Sequence, residues 1–109
     1  MGYSDLTALL LAVHARAGLV TFHGPMAMSA WAPRSLEWAR RVLFEGEAPP
    51  FHNVLTDEDR LVPRKWRTQT ITPGRASGRL LGGNLTVLSH LVGSPYLPGF
   101  AGCLLFLED

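Results

Sequence analysis

Cysteine is almost missing from this chain of 109 residues: Cys103 stands alone. A disulfide scaffold and a multi-cysteine metal site are thereby excluded, and no metal or cofactor is called for. Charge is sparse too, at 17% of residues, and nearly balanced at a net +1. That removes the electrostatic case for a nucleic-acid partner. No apolar run approaches the roughly 18 residues that a membrane span requires. The N-terminus also lacks the charged-then-apolar layout of a signal peptide. A protein with no membrane partner, residing in the cytoplasm, is the expectation. Disorder is excluded by the 47% of hydrophobic residues. One shortage points outward. Free domain surfaces carry about 25–35% charged residues, so the low value here predicts a large covered face or a place in something bigger.

What is present divides into short elements. Leu6, Leu9, Leu10 and Val13 have helical spacing, Ser4 or Asp5 stands where a cap belongs, and Gly18 suits a left-handed stop. Leu19-Val20-Thr21-Phe22 reads as a strand ended by His23-Gly24-Pro25. Pro33 followed by residues 35–44 reads as a second helix, with Gly46 beyond its end. Residues 45–64 hold Pro49, Pro50, Pro63 and Asp57-Glu58-Asp59 without a clear period, which predicts an exposed crossover between two units. Residues 65–72 alternate loosely and read as an edge strand. Residues 78–83 form a short extended segment ending in two glycines. Asn84 then caps a helix over 85–92. Gly102–Leu107 is a continuous apolar run, the pattern of a strand buried on both faces.

The two ends carry the chemistry. Gly2-Tyr3-Ser4-Asp5 ahead of a helix is similar to part of a nucleophile elbow, in which a tight turn exposes a serine hydroxyl at a helix start. The backbone N–H of Asp5 would then face a developing oxyanion. The plainer alternative is that Ser4 is an ordinary N-cap. At the other end an apolar strand delivers Glu108 at its C-terminal edge, the usual side for active-site groups in α/β sheets.

Taken in order, Gly2-Tyr3-Ser4-Asp5-Leu6-Thr7, Gly18 to Pro25, Gly78 to Leu85 and Leu105-Phe106-Leu107-Glu108-Asp109 resemble the LD-carboxypeptidase family. That family includes muramoyltetrapeptide carboxypeptidases and microcin C self-immunity peptidases. The resemblance implies an α/β fragment of a two-domain serine peptidase. Residues 1–47 would end a flavodoxin- or Rossmann-like N-terminal domain, 48–75 would cross over, and 76–109 would begin a swivelling β/β/α C-terminal domain. It further implies a cytoplasmic enzyme with a Ser-His-Glu triad and no metal, which removes D-Ala from a murein tetrapeptide during cell-wall recycling. Ser4 takes the nucleophile's place, Glu108 the acid's, and the Asp5 amide one oxyanion donor's. A short peptide is the implied partner, and a homodimeric parent is compatible with it. The second oxyanion amide belongs upstream of Ser4 and the triad histidine downstream of Glu108, so the 109 residues alone are expected to be inactive. Two other readings stand beside this one: a microcin-type immunity peptidase, and a non-catalytic α/β interaction module or gene fragment.

Other residues admit a plain reading next to a functional one. Asn84 is a helix cap or, on the resemblance, a substrate contact. Arg60, Arg64, Lys65, Arg67, Arg75 and Arg79 form a solvated face or meet a carboxylate. Cys103 reads as an inert core thiol. Trp31 and Trp38 read as packing residues, and Trp66 as packing or a cleft wall. His14 and His90 sit within helices. His23 and His52 are expected not to serve as the triad base, because that role needs reach to both Ser4 and Glu108.

Overall fold

The computed structural model describes residues 1–50 and 69–109. It contains α1 (Leu6–Ala17), α2 (Pro33–Leu43), β1 (Arg79–Asn84), α3 (Leu85–His90) and β2 (Cys103–Glu108). The mixed α/β class read from the sequence is the class observed. Two compact units are present. One joins Met1–Ala30 to Ala76–Asp109, and the other is Trp31–Arg75.

In the first unit, α1 ends as its glycine dictates. Gly18 takes φ 68° and its N–H donates to His14 O at 2.9 Å. Its start differs from expectation. Asp5 occupies the cap position, yet neither Ser4 nor Asp5 makes a side-chain capping bond. Capping needs an extended backbone at the cap residue, and Asp5 is already helical at φ −57°, ψ −27°. Backbone turns serve instead: the Leu6 N–H donates to Tyr3 O at 3.2 Å and the Thr7 N–H to Ser4 O at 2.9 Å.

β1 and β2 pair in parallel, from Arg79 opposite Cys103 to Asn84 opposite Glu108. Parallel strands need a crossover of a dozen or more residues, and the segment containing α3 provides it. Asn84 adopts the extended conformation of a true cap, and its Oδ1 accepts from the Val87 N–H at 3.0 Å. The helix expected over 85–92 closes at His90 and passes into a turn.

Three expectations are corrected. Leu19–Phe22 is not a strand: pairing is confined to a single parallel bridge between His23 and Gly2. A strand needs a partner along its length, and Gly2 offers one residue. The apolar run of β2 is not buried on both faces. Leu105 is 52% exposed and Leu107 44%, because a two-stranded sheet leaves β2 one open edge and little cover. Cys103 accordingly is half-buried rather than a core thiol. Among the described residues, Leu11 is the buried large apolar side chain.

The second unit is built on α2, with Pro33 at its first turn as expected. Its last turn is tied to the residues after it. Arg40 pairs with Glu45, Arg41 Nε donates to Glu47 Oε2 at 2.6 Å, and the Arg41 guanidinium lies 5.2 Å from the centre of the Trp38 ring. Residues 69–72 carry no strand. The rest of the strand expected over 65–72 lies outside the described residues. So do the acidic triplet, His52, Trp66 and the basic positions from Arg60 to Arg67. No helix among the described residues is long and apolar enough to cross a membrane.

Candidate active site

Ser4 has a backbone that side chains rarely accept. Its φ is 56°, and among the described residues it is the non-glycine position with positive φ. Such strain costs of order 1–3 kcal/mol and persists where the surroundings enforce it. Two features enforce it here. Gly2 is held by the His23 segment: its N–H donates to Phe22 O at 3.1 Å, and its carbonyl accepts from the Gly24 N–H at 2.9 Å. Two residues after Ser4, α1 begins. The chain must therefore reverse over Tyr3-Ser4-Asp5, and Gly2 permits the crowding, since a Cβ there would lie 2.9 Å from Leu6 Cβ. Bridge, strained serine and helix start match part of the geometry of a nucleophile elbow, the feeding strand being represented by the Gly2 bridge alone. Ser4 is exposed, and its hydroxyl has no hydrogen-bond partner among the described residues. The Asp5 N–H likewise donates to no backbone acceptor among them, whereas Leu6 and Thr7 donate to the turn.

From Ser4 a closed circuit of contacts runs through the other candidates. One turn on, Thr7 is buried at 1% exposure, and its Oγ1 accepts from the Asn84 N–H at 3.0 Å. Gly83 must be glycine for this approach: its φ is 144°, and a Cβ would lie 2.6 Å from Thr7 Cγ2. Asn84 is the register partner of Glu108, both at the C-terminal ends of parallel strands. Glu108 Oε1 lies 3.6 Å from His23 Nε2. The backbone of His23 bridges Gly2, two positions before Ser4. The elbow, Asn84 and Glu108 thus belong to one constellation, assembled from the two ends of the sequence.

Sequence reasoning missed three members. His23 stands 3.6 Å from Glu108 and makes no hydrogen bond to Ser4, so it does not link the two as a triad base would. Its signal was its place in the Phe22-His23-Gly24-Pro25 motif. Thr7 reads as one more helical residue, and only its burial reveals its role. Asp109 accepts from Thr86 Oγ1 at 3.0 Å and from Asn84 Nδ2 at 3.4 Å, steadying the Asn84 amide. His14 is unconnected with the site; its Nδ1 lies 2.9 Å from Leu19 O. Among the described residues no cluster of histidine, cysteine and carboxylate side chains is arranged to hold a metal.

Residues 1–24 match the LD-carboxypeptidase N-terminal domain, and residues 77–109 match the LD-carboxypeptidase C-terminal domain. The two segments together span more than half of the chain. The chain belongs to the LD-carboxypeptidase family. The matched segments are those that meet in the first compact unit. Among LD-carboxypeptidase relatives, the probable murein peptide carboxypeptidase of Bacillus subtilis is 36% identical over 108 residues, covering 99% of this chain and 32% of that protein. The microcin C7 self-immunity protein of Escherichia coli is 29% identical over 144 residues, covering all of this chain and 38% of the relative. A structure of that protein with aspartyl sulfamoyl adenosine matches with a TM-score of 0.68 at 28% identity, over 99% of this chain and 38% of that one. Another structure of it is an active-site mutant in which a serine, an asparagine and a lysine are replaced by alanine. A related protein from Bacillus anthracis matches with a TM-score of 0.73 at 27% identity, over 99% of this chain and 37% of that one. The chain thus spans about a third of the length of the curated relatives it matches.

Proposed function

We propose that these residues carry the nucleophile and the acid of a serine peptidase, which hydrolyses the bond before the C-terminal residue of a short peptide. The observation that carries this reading is Ser4 at φ 56° on a turn between a bridge residue and a helix start. A serine hydroxyl held out by a strained turn, with no hydrogen-bond partner among the described residues, is arranged to attack a carbonyl. In the reading, Ser4 Oγ adds to the scissile carbonyl, and the tetrahedral oxyanion takes a hydrogen bond from the Asp5 N–H at the start of α1. A histidine base accepts the serine proton and returns it to the leaving amine, while Glu108 fixes its tautomer. Asn84, steadied by Thr7 and Asp109, contacts the substrate. Support comes from the microcin relative, where a serine and an asparagine are among the substituted active-site residues.

The domain assignment belongs to the same proposal: 1–47 ends the nucleophile domain, 48–75 crosses over, and 76–109 opens the domain that bears Glu108. The matches over 1–24 and 77–109 support its outer segments. For substrate we favour a murein tetrapeptide ending in D-Ala, handled in the cytoplasm, on the strength of the Bacillus subtilis relative. An aminoacyl-nucleotide substrate is the second reading, supported by the microcin immunity protein that binds aspartyl sulfamoyl adenosine. The triad base lies outside the 109 residues, so the chain by itself turns over neither.

The test compares two polypeptides, the 109 residues alone and the same residues in their complete reading frame. Each is given an L,D-tetrapeptide, an aminoacyl sulfamoyl adenosine and a serine-directed fluorophosphonate. Release of D-Ala by the complete protein, lost in Ser4→Ala, is the expected result. Turnover that survives Ser4→Ala overturns the mechanism, and turnover by the 109 residues alone overturns the assignment of the base.

A further inference from the structure

A triad carboxylate works only if it is held still, with one oxygen left for the base; groups behind it commonly do the holding. Three observations single out His23 for that task. Its Nε2 lies 3.6 Å from Glu108 Oε1, with the side chains 22% and 35% exposed. Among the described residues, Glu108 Oε1 is buried without a hydrogen-bond partner, and so is His23 Nδ1. The imidazole stands edge-on to Phe106, centroids 5.3 Å apart and planes at 62°, two residues before Glu108 on β2.

We propose that His23 is a positioning residue that donates from Nε2 to Glu108 Oε1, leaving Oε2 for the triad base; this rests on the reading of Glu108 as the acid. A buried carboxylate oxygen without a donor is costly, and Nε2 is placed to supply one. The 3.6 Å separation is past hydrogen-bond length, and closing it by about half an ångström makes the bond. Such contacts tighten when a site is loaded. The tautomer follows from the other ring nitrogen. A proton on buried Nδ1 would have no acceptor among the described residues, so in the neutral ring we place the proton on Nε2. Phe106 fixes the ring plane, and the backbone bridge to Gly2 fixes its base. One residue thereby ties the acid to the bridge residue that leads into the serine turn.

The test has a spectroscopic arm and a kinetic arm, both on the protein from its complete reading frame. Long-range proton–nitrogen spectra should show His23 protonated at Nε2, with a protected proton that disappears in Glu108→Ala. Protonation at Nδ1, or an Nε2 proton indifferent to Glu108→Ala, overturns the proposal whether or not the protein turns over substrate. In the kinetic arm, His23→Phe keeps the ring against Phe106 and removes the donor, while His23→Gln does the reverse. His23→Phe should lower kcat about 10–100-fold with KM unchanged, and His23→Gln should restore most of it. The opposite order, with Phe active and Gln impaired, assigns His23 to ring packing and overturns the proposal. Failure of the underlying mechanism has a different signature: turnover then survives Ser4→Ala while the spectroscopic coupling of His23 to Glu108 stands.

Discussion

The two compact units are held together in different ways. In Trp31–Arg75 the ion pairs at the end of α2 are local: they reach five or six residues ahead, to Glu45 and Glu47, and Arg41 stacks on Trp38 of the same helix. In the unit made from the chain's two ends, Thr7 bonds to Asn84 across 77 positions, and His23 meets Glu108. Local ion pairs at a helix end need no precise surroundings. The Thr7–Asn84 bond, by contrast, depends on a close backbone approach that Gly83 allows. Precision has accumulated where the chemistry is proposed, and not where contacts are easiest to make.

Substitutions sharpen that contrast. In the protein from its complete reading frame, Ser4→Ala should have the largest effect, lowering turnover by about 10⁴- to 10⁶-fold with little change in unfolding midpoint. Steady-state kinetics beside thermal denaturation checks both halves of that expectation. Gly83→Ala comes next. It places a methyl group against Thr7 and leaves a side chain at φ 144°, so it should destabilise the protein by at least about 2 kcal/mol. A denaturant midpoint close to that of the unaltered protein would break the claim that this approach is tight. Thr7→Val preserves shape but leaves the Asn84 N–H unpaired, with an expected loss of about 1–3 kcal/mol in the same assay. In the other unit, Arg41→Ala removes a partly exposed ion pair. It should cost about 0–1 kcal/mol, and less in high salt. If Arg41→Ala proves as damaging as Thr7→Val, the comparison of the two units fails.

Much of this was legible in the residues. Helix periods, the Gly18 stop, Pro33 and the Asn84 cap are local signals, and the structure follows them. Ser4 was legible as a candidate because a glycine two residues earlier and a helix just after it bracket the turn. What escaped depends on distant partners. Leu19–Phe22 has strand-forming residues and, among the described residues, no strand to pair with along its length. Thr7 and His23 acquire their roles from Asn84 and Glu108, far along the chain, and no short window of sequence contains both members. The Leu104–Leu107 run announces burial, yet exposure is decided by what lies against the strand.

The register of β1 against β2 sets a rule for how the gene can change. Side chains alternate faces along a strand, so one residue inserted between Cys103 and Glu108 would send the carboxylate to the opposite face of the sheet. The same insertion in β1 would uncouple Asn84 from both Thr7 and Glu108. Codons added or lost between His90 and Gly102 leave every one of those pairings intact. Length variation among natural versions of this gene should therefore collect in that connection and avoid the two six-residue strands beside it.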